Sequence, residues 1–291
     1  MSEPILDRRL LIDLYHDCFP ENVREEAVVE RILSHTEDPA FGIFADGALA
    51  AACLLHGRAI TMLAVQPAYR RKGFGSTLLN EAEQRIRAAG YEKLTIGVGT
   101  DDAYLMPGVP MDQGADAFFR KRGYQHNWGE TGCFDMSMDL SDAPEQPVHV
   151  GDTVHGITYR MAGPKDIPGI EACVKDAQES FVPYYLETEH YTADTKAPVL
   201  VAVRGADVLG TLIVSLEVEG EGLGSVGCTA TRTDARGQGI ATHMVQAGTQ
   251  YLKDNGMRRA FLGYTYTDIL RMYARAGYQV SQEYFMAEKR F

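Results

Sequence analysis

Apolar positions in this chain alternate between helical and strand spacing, and the two halves repeat the same order. Residues 5–15 carry Leu6, Leu10, Leu11 and Leu14 at helical spacing, and 22–33 carries a second amphipathic run. Short apolar runs at 41–44 and 48–55 are joined by Ala45, Asp46 and Gly47, which predicts a hairpin with a tight turn. A strand at 60–65, an amphipathic helix at 76–89, a strand at 93–98 and a short helix before Gly123 follow. The second half predicts helices from 166 to 186, a hairpin over 199–203 and 208–216, a strand at 226–231, a helix at 242–255, a strand at 259–264 and a short helix before Gly277. Between the halves, 141–147 is polar and holds Pro144 and Pro147, a linker composition. The repeat predicts two domains, 1–145 and 153–291.

In each half a glycine-rich turn joins the strand to the long helix. The turns are Arg70, Arg71, Lys72, Gly73, Phe74, Gly75 and Arg236, Gly237, Gln238, Gly239, Ile240, Ala241. Such a turn predicts an anion site, because glycine lets the backbone approach a ligand and the first-turn amides of the helix lack partners. A pyrophosphate is the best-fitting ligand. A Walker A loop needs Lys then Ser or Thr after its last glycine, and a dinucleotide fingerprint needs a third glycine, where this chain has Leu78 and Thr242. Neither motif is met.

The pattern Arg-x-x-Gly-x-Gly/Ala after a strand resembles the coenzyme A pyrophosphate loop of the GNAT superfamily of N-acetyltransferases. The late runs Phe118, Phe119, Arg120, Lys121, Arg122, Gly123, Tyr124 and Met272, Tyr273, Ala274, Arg275, Ala276, Gly277, Tyr278 resemble that superfamily's closing aromatic signature, with Met272 in place of the first aromatic. The resemblance implies an α/β (α+β) chain of two tandem GNAT domains, each a mixed, mostly antiparallel sheet flanked by helices. It also implies acetyl-CoA as co-substrate and no metal. Its finer form, a resemblance to the glucosamine and glucosaminide N-acetyltransferases, rests on Tyr264, Thr265, Tyr266, Thr267, Asp268, on the insert at 107–110, and on the closing Glu283, Tyr284, Phe285, Met286. The function implied is acetyl transfer to a small primary amine, an amino sugar among the candidates. A coenzyme A sensor without turnover, or a protein or peptide N-acetyltransferase, stands as the alternative.

Composition narrows the partners. With 291 residues and a hydrophobic content of 45%, the chain can build ordinary cores. Its formal net charge of −12 argues against nucleic acid and anionic membranes, and suits a cationic amine or serves solubility alone. Five cysteines without Cys-x-x-Cys spacing and eight scattered histidines predict neither a disulfide framework nor a metal site. With no leader pattern at the start and no spanning stretch, a cytoplasmic setting is expected.

The resemblance assigns roles residue by residue. Thr229, Ala230 and Thr231 would hold the pantetheine, and Arg236, Gly237, Gln238, Gly239, Ile240, Ala241 and Thr242 the pyrophosphate. In the first half, Leu63, Val65, Arg70, Arg71, Gly73, Phe74, Gly75 and Ser76 take the same places. The tyrosine that would protonate the leaving thiolate is Tyr273; the first half has Phe119, which has no proton to give. The second domain is therefore expected to be the catalytic half. Asp268 is a base candidate or a helix cap, with Glu217, Glu219 and Glu221 as rivals. Cys228 reads as a buried strand residue and His243 as an ordinary helix residue. The insert, placed at 101–113, is expected to line a cleft.

Overall fold

The turn at Asp46 and Gly47 shows why the short apolar runs become hairpins. Both residues have positive φ, 52° and 81°, which matches the turn to the strand twist. They join β2 (Ala40–Ala45) to β3 (Ala48–His56). The computed structural model describes residues 2–20, 26–34, 39–98, 104–111, 114–128, 131–218 and 222–291. Two compact units result. The first is Met1–Cys133 with Gln282–Phe291, and the second is Phe134–Ser281.

The first unit contains β1 (Glu3–Pro4), β2, β3, β4 (Ala59–Val65), β5 (Lys93–Ile96), β6 (Val109–Pro110) and β7 (Gln125–His126). Its helices are α1 (Arg9–Cys18), α2 (Glu26–Leu33), α3 (Phe74–Ala88) and α4 (Ala115–Arg120). The second unit contains β8 (Cys133–Asp139) from Phe134 on, β9 (Thr153–Val154), β10 (Ile157–Met161), β11 (Val199–Arg204), β12 (Asp207–Ser215), β13 (Leu223–Thr231) and β14 (Arg259–Tyr266). Its helices are α5 (Ile167–Gln178), α6 (Val182–Tyr185), α7 (Ile240–Asp254) and α8 (Thr267–Ala274). Two closing strands follow, β15 (Gln279–Phe285) and β16 (Ala287–Arg290).

The first unit's sheet runs β1-β2-β3-β4-β5-β16-β7, so its sixth position is filled by the end of the chain. The register is Glu288↔Thr95 and Lys289↔Leu94. In the second unit the order β8-β14-β13-β12-β11-β10-β9 puts a strand from before residue 140 beside β14. The boundary expected near residue 150, with its 141–147 linker, therefore lies inside the second unit. In the first sheet β1 to β4 pair antiparallel in succession, as β16 does with β5 and β7, and in the second β9 to β13 do the same; β4 meets β5, and β13 meets β14, in parallel.

Helices cover both faces of each sheet, because the strands are apolar on both sides. In the second unit α7 lays Met244, Val245, Ala247 and Leu252 against Leu212, Val214 and Val226. Fully burying each of these methionine, valine and leucine side chains contributes about 1.5–3 kcal/mol. On the opposite face Ile170, Cys173 and Val174 of α5 pack with Val199, Val201 and Ile213. In the first unit Leu78, Leu79, Ala82 and Ile86 of α3 take one face, and Leu11, Leu14 and Tyr15 of α1 the other.

Three expectations change. Leu6 is 90% exposed and precedes the helix, which starts at Arg9. Among the described residues of the insert, Leu105, Met106 and Val109 are buried in the first unit's cores, so this stretch packs instead of lining a cleft. Cys228 is half-buried with a φ of 49°. Glu219 and Glu221 lie outside the described residues.

Candidate active site

The two loops are built alike. Arg70 Nε donates to Val65 O at 3.1 Å, and Arg236 Nε donates to Thr231 O at 3.3 Å, each arginine closing the turn back on the end of its strand. Left-handed φ occurs at Arg71 and Gly73 (65° and 89°) and at Gly237 and Gly239 (80° each). Only the first loop holds this shape with a non-glycine residue, Arg71, a conformation that carries a steric cost. Gly73 and Gly239 precede α3 and α7, and the first helical bonds are Thr77 N→Gly73 O and His243 N→Gly239 O, both 3.0 Å. The amides of Phe74, Gly75 and Ser76, and of Ile240, Ala241 and Thr242, come before those bonds and are the orphan donors of each helix start. With the helix dipole behind them they fit a pyrophosphate.

Side chains missed from the sequence surround each loop. Arg122 donates to Ser76 Oγ at 2.7 Å and to Phe118 O at 2.8 Å, placing a cation at the first loop. At the second loop Arg204 donates to Gln238 Oε1 at 2.9 Å, and the His243 ring lies against Gly239, where a Cβ would sit 3.5 Å from Cε1. Tyr159 OH meets His243 Nδ1 at 3.0 Å, and burial, then His155, lowers the imidazole's pKa. His243 is more than an ordinary helix residue, for it forms one wall of the turn.

Between loop and late helix the units diverge. In the second, parallel pairing of β13 with β14 covers Leu223–Ser225 against Arg259–Phe261 and stops there among the described residues. Just beyond, β13 bulges against β12, where Thr211 faces Ala230 but Ile213 faces Gly227. Cys228 takes its positive φ in this extra stretch, and its carbonyl accepts from Tyr185 OH at 2.5 Å. A bulge re-aims the residues beside it. Thr229 comes next, and its Oγ1 lies 3.1 Å from Tyr273 OH. Tyr273 is 2% exposed, and burial pushes its phenol up to about 12, against the lowering effect of Thr229. The group holds its proton throughout the neutral range.

The first unit replaces both members of this pair. Thr229 lies seven residues before Arg236 (236 − 229), and Leu63 lies seven before Arg70 (70 − 63). Tyr273 lies four before Gly277 (277 − 273), and Phe119 four before Gly123 (123 − 119). Leu63 and Phe119 share one apolar core, with Val65, Phe74 and Phe118 packed on it. Neither side chain carries a hydroxyl.

Asp268 is exposed in the first turn of α8, whose N-cap is Tyr266 without a side-chain cap bond, so Asp268 does not cap the helix. Glu217 pairs with Lys196 at 3.1 Å. A cavity of about 620 Å³ in the second unit, lined by Met138, Gln146, Ala274 and Arg275 among others, includes none of the expected site residues. Among the described residues no group of three or more His, Cys, Asp or Glu could hold a metal ion, and no helix is long and apolar enough to cross a membrane.

The sequence pattern of the acetyltransferase (GNAT) family matches residues 8–107 and 170–278, more than half of the chain and once in each repeat. The chain belongs to the GNAT family. Solved structures of GNAT proteins share the fold along the whole length. The glucosamine N-acetyltransferase region of a fungal multi-domain GH3 β-N-acetylglucosaminidase superposes with a TM-score of 0.76 at 19% identity, over 99% of this chain but 38% of that one. A GCN5-related N-acetyltransferase from Sphaerobacter thermophilus gives 0.72 at 19% identity, covering 100% of this chain and 95% of the other. A tandem GNAT protein from the clavulanic acid biosynthesis pathway gives 0.68 at 16% identity, covering 100% and 98%. At such identities the likeness is one of fold. No curated protein matches. The tandem acyltransferase architecture expected from the two loops is thus borne out, and the GNAT fold generally uses acetyl-CoA.

Proposed function

We propose that the second unit transfers an acetyl group from acetyl-CoA to a small primary amine, with an amino sugar such as glucosamine as the first candidate. The observation that carries this reading is the contact of Tyr273 OH with Thr229 Oγ1 at 3.1 Å, set against Leu63 and Phe119 at the matching places of the first unit. Bound acetyl-CoA supplies an activated acetyl group on a thioester. The amides of Ile240, Ala241 and Thr242, with Arg236, receive its pyrophosphate, and the backbone of Thr229, Ala230 and Thr231, at and after the bulge, holds its pantetheine arm. Tyr273, a phenol with its pKa pushed to about 12, keeps a proton ready for the departing sulfur. Asp268, exposed at the start of α8, takes the amine's proton directly or through water.

In the first unit Arg70, Arg71, Gly73, Phe74, Gly75 and Ser76, with Leu63 and Val65 behind them, keep the means to bind coenzyme A but lack a proton donor. Binding there without turnover is the second reading, favoured by the Phe119 substitution. The amino-sugar proposal draws on the glucosamine N-acetyltransferase region among the structural relatives and on the net charge of −12, which favours a cationic acceptor. Thiol release is measured with acetyl-CoA and a panel of glucosamine, its oligomers, a polyamine, an aminoglycoside and a peptide. Release with glucosamine or its oligomers supports the full reading, and release only with another amine removes the sugar. Coenzyme A binding without release on any amine leaves the sensor.

A further inference from the structure

We propose that Asp135 is a positioning residue for the acceptor end of the second unit's site, an inference that rests on the acetyltransferase reading above. Asp135 lies on β8, far in sequence from every other residue assigned to that site. It is 9% exposed, and Oδ1 accepts the backbone N–H of Tyr264 at 3.0 Å. Tyr264 has a φ of 58°, well inside β14. The break shows in the burial pattern, since Ala260 and Leu262 face the core below α7, and the next buried residue is Thr265 instead of Tyr264. One residue has been added to the alternation, as in a bulge. A bulge leaves a backbone N–H out of the ladder, and a buried amide must find an acceptor. The Asp135 carboxylate is that acceptor, and a charged one bonds more strongly than a neutral one.

Met136, the neighbour of Asp135, packs into the core beneath α7 and α8, so alternation places Asp135 on the opposite side of the sheet, the side covered by α5 and α6. A Cβ at Gly263 would meet Asp135 Oδ1 in ordinary contact at 3.5 Å and would crowd the Phe261 ring at 3.1 Å. Beyond the held bulge come Tyr264 and Tyr266, 37% and 41% exposed. Tyr266 is close enough to Tyr273 to act on its proton affinity. Asp135 thus fixes the end of β14 that carries the exposed Tyr264 and Tyr266 and leads directly into α8, the helix of the proton donor. Two exposed aromatic faces suit an acceptor with a flat apolar side, such as a pyranose carrying its amine at the edge.

The test compares Asp135→Ala and Asp135→Asn in the full chain by two readouts. The first is hydrogen exchange of the Tyr264 amide, which needs no turnover. It should accelerate in Asp135→Ala and stay protected in Asp135→Asn, whose amide oxygen still accepts the bond. The second is steady-state acetylation of the best amine found. The acceptor KM should rise about tenfold in Asp135→Ala, with acetyl-CoA affinity within about twofold of the parent, and Asp135→Asn should recover most of the loss. Unchanged acceptor KM in Asp135→Ala overturns the proposal, as does an equal loss of acetyl-CoA affinity, which a merely structural role would give. Unchanged exchange at Tyr264 overturns it as well. A parent chain that releases no thiol with any amine brings down the acetyltransferase reading and this inference with it, an outcome distinct from an active parent matched by its variants.

Discussion

Replacing Tyr273 by Phe removes one oxygen from a site where the chemistry and the packing can be separated. On the packing side the ring stays, with its edge contact to Tyr278 at 6.0 Å and 71° and its place in the core under α7. The bond to Thr229 Oγ1 is lost, which costs about 0.5–1.5 kcal/mol for a neutral pair. On the chemical side the sulfur loses its proton donor, and removal of a general acid lowers turnover about hundredfold or more, near 2.7 kcal/mol at 1.36 per factor of ten. The expected variant is folded, binds acetyl-CoA within about twofold of the parent, and has kcat reduced by about two orders of magnitude. Steady-state thiol release, calorimetric titration with acetyl-CoA and a thermal melt measure the three quantities separately. The pH profile adds a sign. A general acid works protonated, so activity from Tyr273 is present below its pKa of about 12 and lost as pH rises through it, and the parent should show no fall from this group in the neutral range. Full activity in Tyr273→Phe, or a loss matched by acetyl-CoA affinity, refutes the assignment.

Two further predictions concern stability. Asp166 is bound by both ends of the Arg160 guanidinium at 2.8 Å and by Gly163 N at 2.8 Å, and Arg160 holds its carboxyl below the usual value. A depressed carboxyl stabilises the fold above the unfolded pKa of about 3.9 and loses that contribution as pH falls through the folded value. Asp166→Asn should therefore cost about 1.5–3 kcal/mol in urea unfolding at pH 7, with the gap from the parent closing below about pH 4; an equal gap at pH 3 refutes the pairing. Gly248 faces Leu212, Val226 and Val214, where a Cβ would come within 2.7 Å of the nearest methyl, so Gly248→Val should destabilise by about 1–3 kcal/mol in the same assay, and a neutral result would show that α7 can move off the sheet.

What the sequence reveals follows the distance between the residues involved. The Asp46 and Gly47 turn, the two glycine loops and the four long helices are local, and their spacing and φ demands are written in neighbouring residues. Strand exchange is not local. That β16 fills a place beside β5, and Phe134–Asp139 a place beside β14, depends on pairings about 130 to 200 positions apart, and the alternation along a strand carries no address for its partner. Asp135 was missed for this reason, since its carboxylate looks like any polar position of a strand. The polar linker at 141–147 misled because a loop on one unit's surface has the same composition as a join between units. Cys228 shows a third limit. Its bulge exists because β12 and β13 differ by one residue between two fixed pairs, a tertiary count absent from Val226, Gly227 and Cys228 themselves. Arg122 could have been found, for a third cation in the late run of the first half has no counterpart at Ala276.

Acetyl transfer at the second loop is tested directly by two matched variants. Gly73 and Gly239 share a positive φ, 89° and 80°, with no atom within 4 Å of a Cβ at Gly73 and only the His243 ring near Gly239. A glutamate at either costs a similar backbone strain, about 1–2 kcal/mol, and places a carboxylate where the helix start is proposed to receive a phosphate. With thermal melts confirming that both variants fold, coenzyme A release and the mass of the acetylated amine are followed for the parent, Gly73→Glu and Gly239→Glu. The prediction is that Gly239→Glu abolishes acetylation while Gly73→Glu retains it. Acetylation that survives in Gly239→Glu and disappears in Gly73→Glu would contradict the account and move catalysis to the first unit.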